Sequence, residues 1–231
     1  MALPKTVEWV TFDVYGTLID WESGIWQAFK KEAARDGFPL EERINKDKLI
    51  DMFHATIREV EGGSYEMYAE VLRQTAVRMA KHEDIQWPLE PSRSGFLPDS
   101  VASWKPFRET APQVRKSFAK FQTGLIANMD DKLLGVTRRH IPGDYDLVVT
   151  AQQVRSYKPD PSHFTEFARR VGSKKNWVHI TSSYYHDVEP CLKAKVPVIY
   201  VNRRKSEPEP GQKKATEEVR TLLEAMKLLG L

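Results

Sequence analysis

The sequence predicts an α/β protein, in which helices cover a parallel sheet and a helical cap is inserted into that core. Two observations support this fold class. Short apolar runs alternate with helical stretches along most of the chain, which is the pattern of strands joined by helical crossovers. The first two predicted strands are instead separated by about a hundred residues, far more than a crossover needs, and this interval is itself helical.

The elements are predicted in chain order. The first strand is at 7–12, and Gly16 allows the sharp turn that follows it. Helices are then predicted at 22–36, 46–60 and 64–82, the first with apolar residues four positions apart. Four prolines between 88 and 106 interrupt helical structure and mark the return to the sheet. The core is therefore predicted to comprise 1–20 and 107–231, and the cap 21–106.

The second half of the chain supplies the remaining strands. They are predicted at 123–128, 146–150, 177–182 and 197–202, with right-handed crossovers. Helices are predicted at 162–171 and 186–195. A last helix is predicted to present one apolar face made by Val219, Leu222, Leu223, Met226 and Leu229. That face is expected to pack onto the sheet.

Composition excludes several classes of function. The 231 residues carry a net charge of +3 from 35 basic and 32 acidic side chains, so nucleic acid is not an expected partner. The interrupted basic stretch 203–214 is interpreted as a solvated loop. No apolar run is long enough to span a membrane, and no signal peptide is recognised. Cys191 is the only cysteine, which suits a reducing compartment, and the cytoplasm is the expected location.

Polar residues that carry chemistry follow three of the predicted strands. Asp13 lies in Thr-Phe-Asp-Val-Tyr-Gly-Thr-Leu-Ile-Asp, Asn128 ends the second strand, and Asp187 follows Val-His-Ile-Thr-Ser-Ser. Lys158, in Ser-Tyr-Lys-Pro-Asp-Pro, follows another strand-like segment. Each alone is as easily a turn or helix-capping residue. Because a parallel sheet brings the carboxyl ends of its strands to one edge, the four are expected to converge there.

This arrangement resembles the haloacid dehalogenase superfamily, whose four motifs occur in the same order, and within it the 2-haloacid dehalogenase branch. The resemblance spans nearly the whole chain and implies a Rossmann-like core with a cap. It also implies that Asp13 is a nucleophile forming an ester with substrate, that Lys158 keeps it ionised by lowering its pKa, and that Asp187 orients lysine and water. Thr17 is expected to donate its hydroxyl to Asp13.

Position 15 distinguishes the branches of the superfamily. Its phosphatases usually carry a second aspartate two residues after the nucleophile, which protonates the leaving alcohol. Here the residue is Tyr15, a poor proton shuttle at neutral pH. A halide leaving group needs no proton. The sequence thus favours dehalogenation over phosphate ester hydrolysis, and predicts neither a metal nor another cofactor.

Substrate contacts are less clearly indicated. The predicted substrate-binding residues, which include Trp21 at the entry to the cap, are Tyr15, Thr17, Trp21, Asn128, Ser182 and Tyr184. The cap is expected to supply an arginine for the substrate carboxylate, and four arginines compete for this role: Arg35, Arg43, Arg58 and Arg73. His186 is interpreted equally well as a site residue or as a structural hydrogen-bonding group.

Three positions depart from the family pattern. Ala127 replaces a hydroxyl residue before Asn128, Tyr184 stands where an asparagine is usual, and Phe164 stands where a tyrosine is often found. The leading hypothesis is a 2-haloacid dehalogenase acting on a small organic acid. The alternatives are a repurposed site for a larger non-halogenated substrate, and a non-catalytic binding protein. A homodimer is expected from the family alone.

Overall fold

The computed structural model describes residues 1–173, 175–207 and 211–231 and divides them into two compact units. One unit comprises Met1–Ile19, Pro106–Asn128 and Arg138–Leu231, and the other comprises Asp20–Lys105 and Met129–Thr137. Within the described residues, every helix is too short or too polar to cross a membrane.

The first unit is built on a six-stranded sheet in which every pairing is parallel. Its strands are β1 (Trp9–Phe12), β4 (Gln122–Ala127), β5 (Leu147–Thr150), β6 (Trp177–Thr181), β7 (Val198–Val201) and β8 (Glu217–Val219), in the spatial order β5-β4-β1-β6-β7-β8. The α/β fold class predicted from the sequence is confirmed. A separate two-stranded ribbon joins β2 (Ile19–Asp20) to β3 (Lys105–Pro106), where the chain passes from one unit to the other.

Strand β1 lies inside the sheet, and the strand order runs outward from it on both sides, through β4 and β5 on one side and through β6, β7 and β8 on the other. Val10 is in register with Thr123 of β4 and with Val178 of β6. Ligands of such sheets bind beyond the carboxyl ends of the strands at the point where the strand order reverses. The residue after β1 therefore occupies the position where chemistry is expected.

The first unit also contains helices, which alternate with its strands along the chain. They are α6 (Thr110–Phe118), α8 (Ala151–Val154), α9 (Ser162–Val171), α10 (Glu189–Ala194) and α11 (Leu222–Leu228), with a π-turn at Tyr184–Val188 before α10. The apolar face of α11 is buried through Leu222 and Met226, as predicted for packing. The prediction was wrong at Val219, which lies in β8, and at Leu223, which is exposed.

The second unit is helical. Its helices are α1 (Trp21–Arg35), α2 (Leu40–Arg43), α3 (Lys46–Glu61), α4 (Tyr68–Lys81), α5 (Phe96–Ser100) and α7 (Asp131–Thr137), with short 3-10 turns at Pro91–Arg93 and Val101–Ser103. Its core is apolar and includes Ile25, Phe29 and Trp87, all buried.

The helical unit differs from the predicted cap, 21–106, by including 129–137. The reason is a buried carboxylate. Asp130 accepts hydrogen bonds from the main-chain N–H groups of Tyr68 (2.7 Å) and Ala69 (2.9 Å) at the start of α4. The first N–H groups of a helix have no partner within it, so an acceptor distant in sequence completes α4. Periodicity along the chain does not reveal such a contact.

Candidate active site

Asp13 lies immediately beyond β1 and is 6% exposed. Its main-chain N–H donates to the carbonyl of Ile180 (3.0 Å), which ties the residue to the end of β6. Its Oδ1 accepts from Lys158 Nζ (3.0 Å), and its Oδ2 accepts from the Thr17 hydroxyl (2.9 Å). The carboxylate is thus held by a donor on each oxygen in a place nearly free of water.

Lys158 supplies the only ammonium group within hydrogen-bonding range of Asp13 among the described residues, and it is 1% exposed. Its three N–H bonds are all used, on Asp13 Oδ1, on Asp187 Oδ1 (2.7 Å) and on the carbonyl of Ile126 (3.1 Å). An ammonium has three donors, so the group is saturated. Lys158 bridges the two carboxylates and anchors itself to the end of β4.

Asn128 fixes the main chain of this lysine. Its amide oxygen accepts from Lys158 N (2.7 Å), and its amide nitrogen donates to the Lys158 carbonyl (3.1 Å). The side chain thus holds Lys158 in place with both ends of its amide, and its contact with substrate stays a prediction.

Asp187 follows β6 in the π-turn and is fully buried. Its Oδ1 accepts from Lys158 and from His179 Nε2 (3.1 Å), and its Oδ2 accepts from the Thr181 hydroxyl (3.1 Å). A carboxylate with three donors and no contact with solvent has a fixed orientation. The predicted trio of Asp13, Lys158 and Asp187 is brought together by the fold.

The Lys158 ammonium contacts both carboxylates, and the pKa values of Asp13 and Asp187 move in opposite directions. Burial disfavours ionisation of Asp187, but the charge of Lys158 and the hydrogen bond from His179 outweigh it and hold the pKa below its ordinary range. At Asp13, burial dominates, and with the negative charge of Asp187 it raises the pKa despite Lys158. Lys158 lowers the pKa of Asp13, as expected, but burial and Asp187 together outweigh this effect. The two carboxylates in turn raise the pKa of Lys158 against the effect of its burial.

Thr17 connects the loop after Asp13 to β6. Its hydroxyl accepts from the main-chain N–H of Ser182 (2.8 Å), and the Ser182 hydroxyl lies 3.3 Å from it. The single proton of Thr17 is best placed on Asp13, since that contact is shorter and charged. Ser182 is therefore connected to Asp13 through Thr17.

Arg203 fixes the same loop from the other side. Its guanidinium donates to the carbonyls of Gly16 (3.1 Å) and Thr17 (3.0 Å), pairs with Glu109 (2.6 Å) and covers the ring of Phe107 (4.1 Å to the centroid). These contacts show that the interpretation of 203–214 as a solvated loop was wrong for Arg203. Residues 208–210 of this stretch lie outside the described residues.

Three further residues considered for the site, Tyr15, Tyr184 and His186, have different contacts. Tyr15 is half-buried and forms an isolated bridge with Ile19. The Tyr184 hydroxyl donates to the Lys213 carbonyl (2.7 Å), and the contact of this side chain with substrate stays a prediction. The His186 ring contacts the Ser183 hydroxyl (3.1 Å), which favours its structural interpretation.

In the helical unit, Trp21 begins α1 and packs on Phe53 (5.3 Å between ring centroids) and His54 (4.9 Å). Its contact with substrate stays a prediction. The four arginines considered for the substrate carboxylate are all exposed: Arg35, Arg43, Arg58 and Arg73.

Sequence reasoning missed His179, Thr181 and Arg203. A signal existed for the first two, because His179 and Thr181 alternate in a strand predicted to be buried and so share a face. A buried polar side chain in such a strand requires a partner. For Arg203 we find no comparable signal, since its partners are main-chain carbonyls nearly two hundred residues earlier.

Comparisons with known proteins find similar sequences and similar folds. A model of the haloacid dehalogenase-like hydrolases matches residues 7–195. An (S)-2-haloacid dehalogenase of Pseudomonas putida is 25% identical over 226 residues, covering 95% of each chain. The L-2-haloacid dehalogenase of Xanthobacter autotrophicus, solved with chloropropionic acid covalently bound, aligns with a TM-score of 0.79 at 15% identity, over 97% of this chain and 98% of its own. The HAD-hydrolase YfnB of Bacillus subtilis, solved bound to magnesium, aligns with a TM-score of 0.84 at 15% identity, over 98% and 100%.

YfnB was solved with magnesium, but the oxygen ligands around Asp13 in this protein do not suit such an ion. Magnesium requires several oxygen ligands in octahedral geometry. Tyr15 has no carboxylate to offer beside Asp13, so fewer oxygen ligands converge there than magnesium prefers. Within the part of the chain that the structure describes, no group of three or more acidic, histidine or cysteine residues has the geometry of a metal site.

Proposed function

The chain belongs to the haloacid dehalogenase-like hydrolases, and from that premise we propose that it hydrolyses the carbon–halogen bond of a 2-halo acid. The observation that carries the proposal is the buried contact of Lys158 with both Asp13 and Asp187 at the carboxyl ends of adjacent strands. The 25% identical (S)-2-haloacid dehalogenase supports the choice of substrate class.

In the proposed first step, an Asp13 carboxylate oxygen attacks C2 of the substrate on the face opposite the halogen. A carbon–oxygen bond forms as the carbon–halogen bond breaks, and the halide leaves with the bonding electron pair. A carboxylate is a weak nucleophile in water and becomes effective when it is desolvated and held in line. The burial of Asp13 and its two donors, Thr17 and Lys158, supply both conditions.

In the proposed second step, water adds to the acyl carbon of the Asp13 ester. The bond between this carbon and the ester oxygen then breaks, which releases a 2-hydroxy acid and a proton and regenerates the carboxylate. Lys158 stabilises negative charge on the ester oxygens, and Asp187 holds Lys158 in place. Neither step requires an acid to protonate the leaving halide, which is consistent with Tyr15 at the position of a phosphatase aspartate.

A second candidate retains the Asp13 nucleophile but takes a larger, non-halogenated organic substrate. It is favoured by Ala127, which is fully buried and offers no hydroxyl, and by the Tyr184 hydroxyl, which contacts the Lys213 carbonyl. Losing one charge-directed hydrogen bond costs roughly 1.5–3 kcal/mol. A binding site that lacks two such side-chain donors therefore depends on main-chain groups for a small carboxylate.

Halide release from a panel of 2-chloro, 2-bromo and 2-fluoro acids tests the proposal. Release by the unmodified protein is expected, and Asp13→Asn is expected to reduce it at least about 10⁴-fold, since it removes the nucleophile. Asp144→Asn, an exposed aspartate of the same unit, is the matched control and should retain full activity. Folded protein that releases no halide from any acid, but cleaves a larger ester through Asp13, would replace the first function with the second.

Two broader predictions accompany the function. We propose a cytoplasmic location, which the single cysteine suits and cell fractionation tests. A homodimer is expected from the family, and light scattering of the purified protein tests it.

A further inference from the structure

A chain of buried polar groups leads from the interior of the sheet to Asp187. The indole Nε1 of Trp177 lies 2.8 Å from Thr11 Oγ1, which lies 2.8 Å from His179 Nδ1. The other ring nitrogen, Nε2 of His179, lies 3.1 Å from Asp187 Oδ1. All four side chains are fully buried, so no exchange with solvent sets their hydrogen bonding.

The direction of every hydrogen bond in this chain follows from its two ends. An indole N–H can only donate, so Thr11 Oγ1 accepts from Trp177 and has its own proton left to give. An ionised carboxylate can only accept, so His179 Nε2 carries a proton and donates to Asp187. The Thr11 hydroxyl has no other acceptor for its proton among the contacts described, so it donates to Nδ1 of His179. The imidazole is therefore the neutral Nε2–H tautomer, fixed from both sides.

The pairing of β1 with β6 brings the side chains of this hydrogen-bonded series together. Thr11 and His179 are paired in register across β1 and β6, and side chains two apart in a strand share a face. Thr11 therefore lies on the same face as Asp13, and His179 on the same face as Thr181. The ring of Phe164 closes the site edge-on against His179 (5.2 Å between centroids, 85° between planes). An apolar ring at this point leaves the imidazole no partners besides Thr11 and Asp187 among the contacts described.

We propose that His179 is a positioning residue for the hydrolase reaction, a neutral donor that fixes the Asp187 carboxylate against Lys158. This inference rests on the proposed function. Its importance changes during the reaction, because esterification of Asp13 removes that negative charge from the cluster. Asp187 is then the only carboxylate left on Lys158, so its orientation matters most while the ester is hydrolysed.

Replacing His179 tests the role directly. His179→Phe keeps a planar ring but removes the donor, whereas His179→Gln keeps an N–H that can reach the carboxylate. His179→Phe is expected to lower kcat about 10- to 100-fold, the range for losing a hydrogen bond to a buried charged group. Because only the second step is slowed, KM should fall together with kcat, kcat/KM should stay nearly unchanged, and a burst of about one halide per protein should appear as ester accumulates on Asp13. His179→Gln should recover most of kcat and lose the burst.

The pH dependence provides a readout that packing alone does not move. The titratable groups that interact with Asp187, besides His179, are Lys158, Asp13, His163 and Cys191. Without the imidazole donor the pKa of Asp187 rises, so the acid limb of kcat in His179→Phe should move to higher pH. Equal loss of kcat in the Phe and Gln variants, with no burst and no shift of the limb, would overturn the positioning role.

A second pair of variants covers the case in which His179→Phe does not fold. Thr11→Val removes the hydroxyl that holds Nδ1, and Thr11→Ser retains it. Nitrogen-15 spectra of histidine, assigned with His179→Gln, should show the Nε2–H tautomer in the unmodified protein and in Thr11→Ser, and a tautomer mixture in Thr11→Val. The Nδ1–H tautomer or an imidazolium in the unmodified protein would overturn the inference.

The two proposals fail in distinguishable ways. Unmodified protein that releases no halide removes the proposed function, and the positioning role with it, whatever tautomer is observed. Unmodified protein that releases halide, alongside a folded His179→Phe with unchanged kcat, removes the positioning role alone.

Discussion

Each unit of the molecule buries a carboxylate and pairs it with basic side chains, but the two pairs have different surroundings. In the helical unit, Glu32 is buried while its partners reach solvent, Arg35 with 67% and Arg93 with 36% of the side chain exposed. In the sheet unit, Asp187 and its partner Lys158 are both buried, at 0% and 1%. Water can replace a lost partner in the first case and cannot in the second. The same type of ion pair is thus expected to tolerate mutation in one unit and to be indispensable in the other.

The largest effect is expected from Lys158→Met. This change leaves two buried carboxylates facing each other without a cation, so activity should fall by at least about 10³-fold. The free energy of unfolding should fall by roughly 3–5 kcal/mol, the cost of breaking a buried pair from one side. Urea unfolding at pH 7 measures the stability, and halide release measures the activity.

The sign of the pH dependence identifies the cause of that instability. In the unmodified protein the lowered pKa of Asp187 contributes stability above its unfolded pKa, and this is lost as the pH falls. In Lys158→Met the carboxylates have raised pKa values and take up protons on folding. The stability deficit should therefore shrink as the pH falls from 7 towards 4. A deficit that is the same at every pH would point to packing as its source.

An intermediate effect is expected from Arg203→Gln, because Arg203 is partly exposed but holds the loop that carries Thr17. Losing a charged hydrogen-bond donor to this loop should cost roughly 1.5–3 kcal/mol of unfolding free energy. kcat should fall about tenfold as the Thr17 contact with Asp13 loosens, while KM changes less. Arg169→Gln, at an exposed arginine paired with Glu166, is the control and should leave kcat unchanged. If the two variants had equal kcat, Arg203 would have no part in positioning the loop.

The smallest effect is expected from Arg93→Gln in the helical unit. Arg93 pairs with Glu32 and Asp36, and its hydrogen bond lowers the pKa of Asp36. Glu32 keeps Arg35 as a partner when Arg93 is removed. Tm should shift only slightly, kcat should not change, and the shift should diminish in 1 M salt. A loss of stability as large as that of Lys158→Met would contradict the comparison between the two units.

Much of the fold could be predicted from the sequence, because it depends on local patterns. The apolar runs at 7–12, 123–128 and 177–182 correspond to β1, β4 and β6 within about two residues at each end. The meeting of Asp13, Lys158 and Asp187 followed from the rule that parallel strands end at one edge. The short strand β8 was not predicted, since three residues with two glutamates carry no apolar signal.

The details that the sequence could not supply are those decided by contacts between distant segments. The amide of Asn128 binds the main chain thirty residues later, a contact that its motif does not indicate. The lowering effect of Lys158 on the pKa of Asp13 was expected, but the burial of Asp13 and the nearby charge of Asp187, which raise this pKa, were not. Neither partner choice nor the depth of burial is encoded in a motif.

The saturated ammonium of Lys158 has a consequence for how substrate range can evolve. Its three N–H bonds are committed to protein oxygens, and two carboxylates around one ammonium leave one negative charge uncompensated. An anionic substrate therefore needs a cation or main-chain donors outside this cluster. The affinity for substrate is therefore set by groups other than Asp13, Lys158 and Asp187. New substrates can consequently be acquired by mutations elsewhere while Asp13, Lys158 and Asp187 stay unchanged.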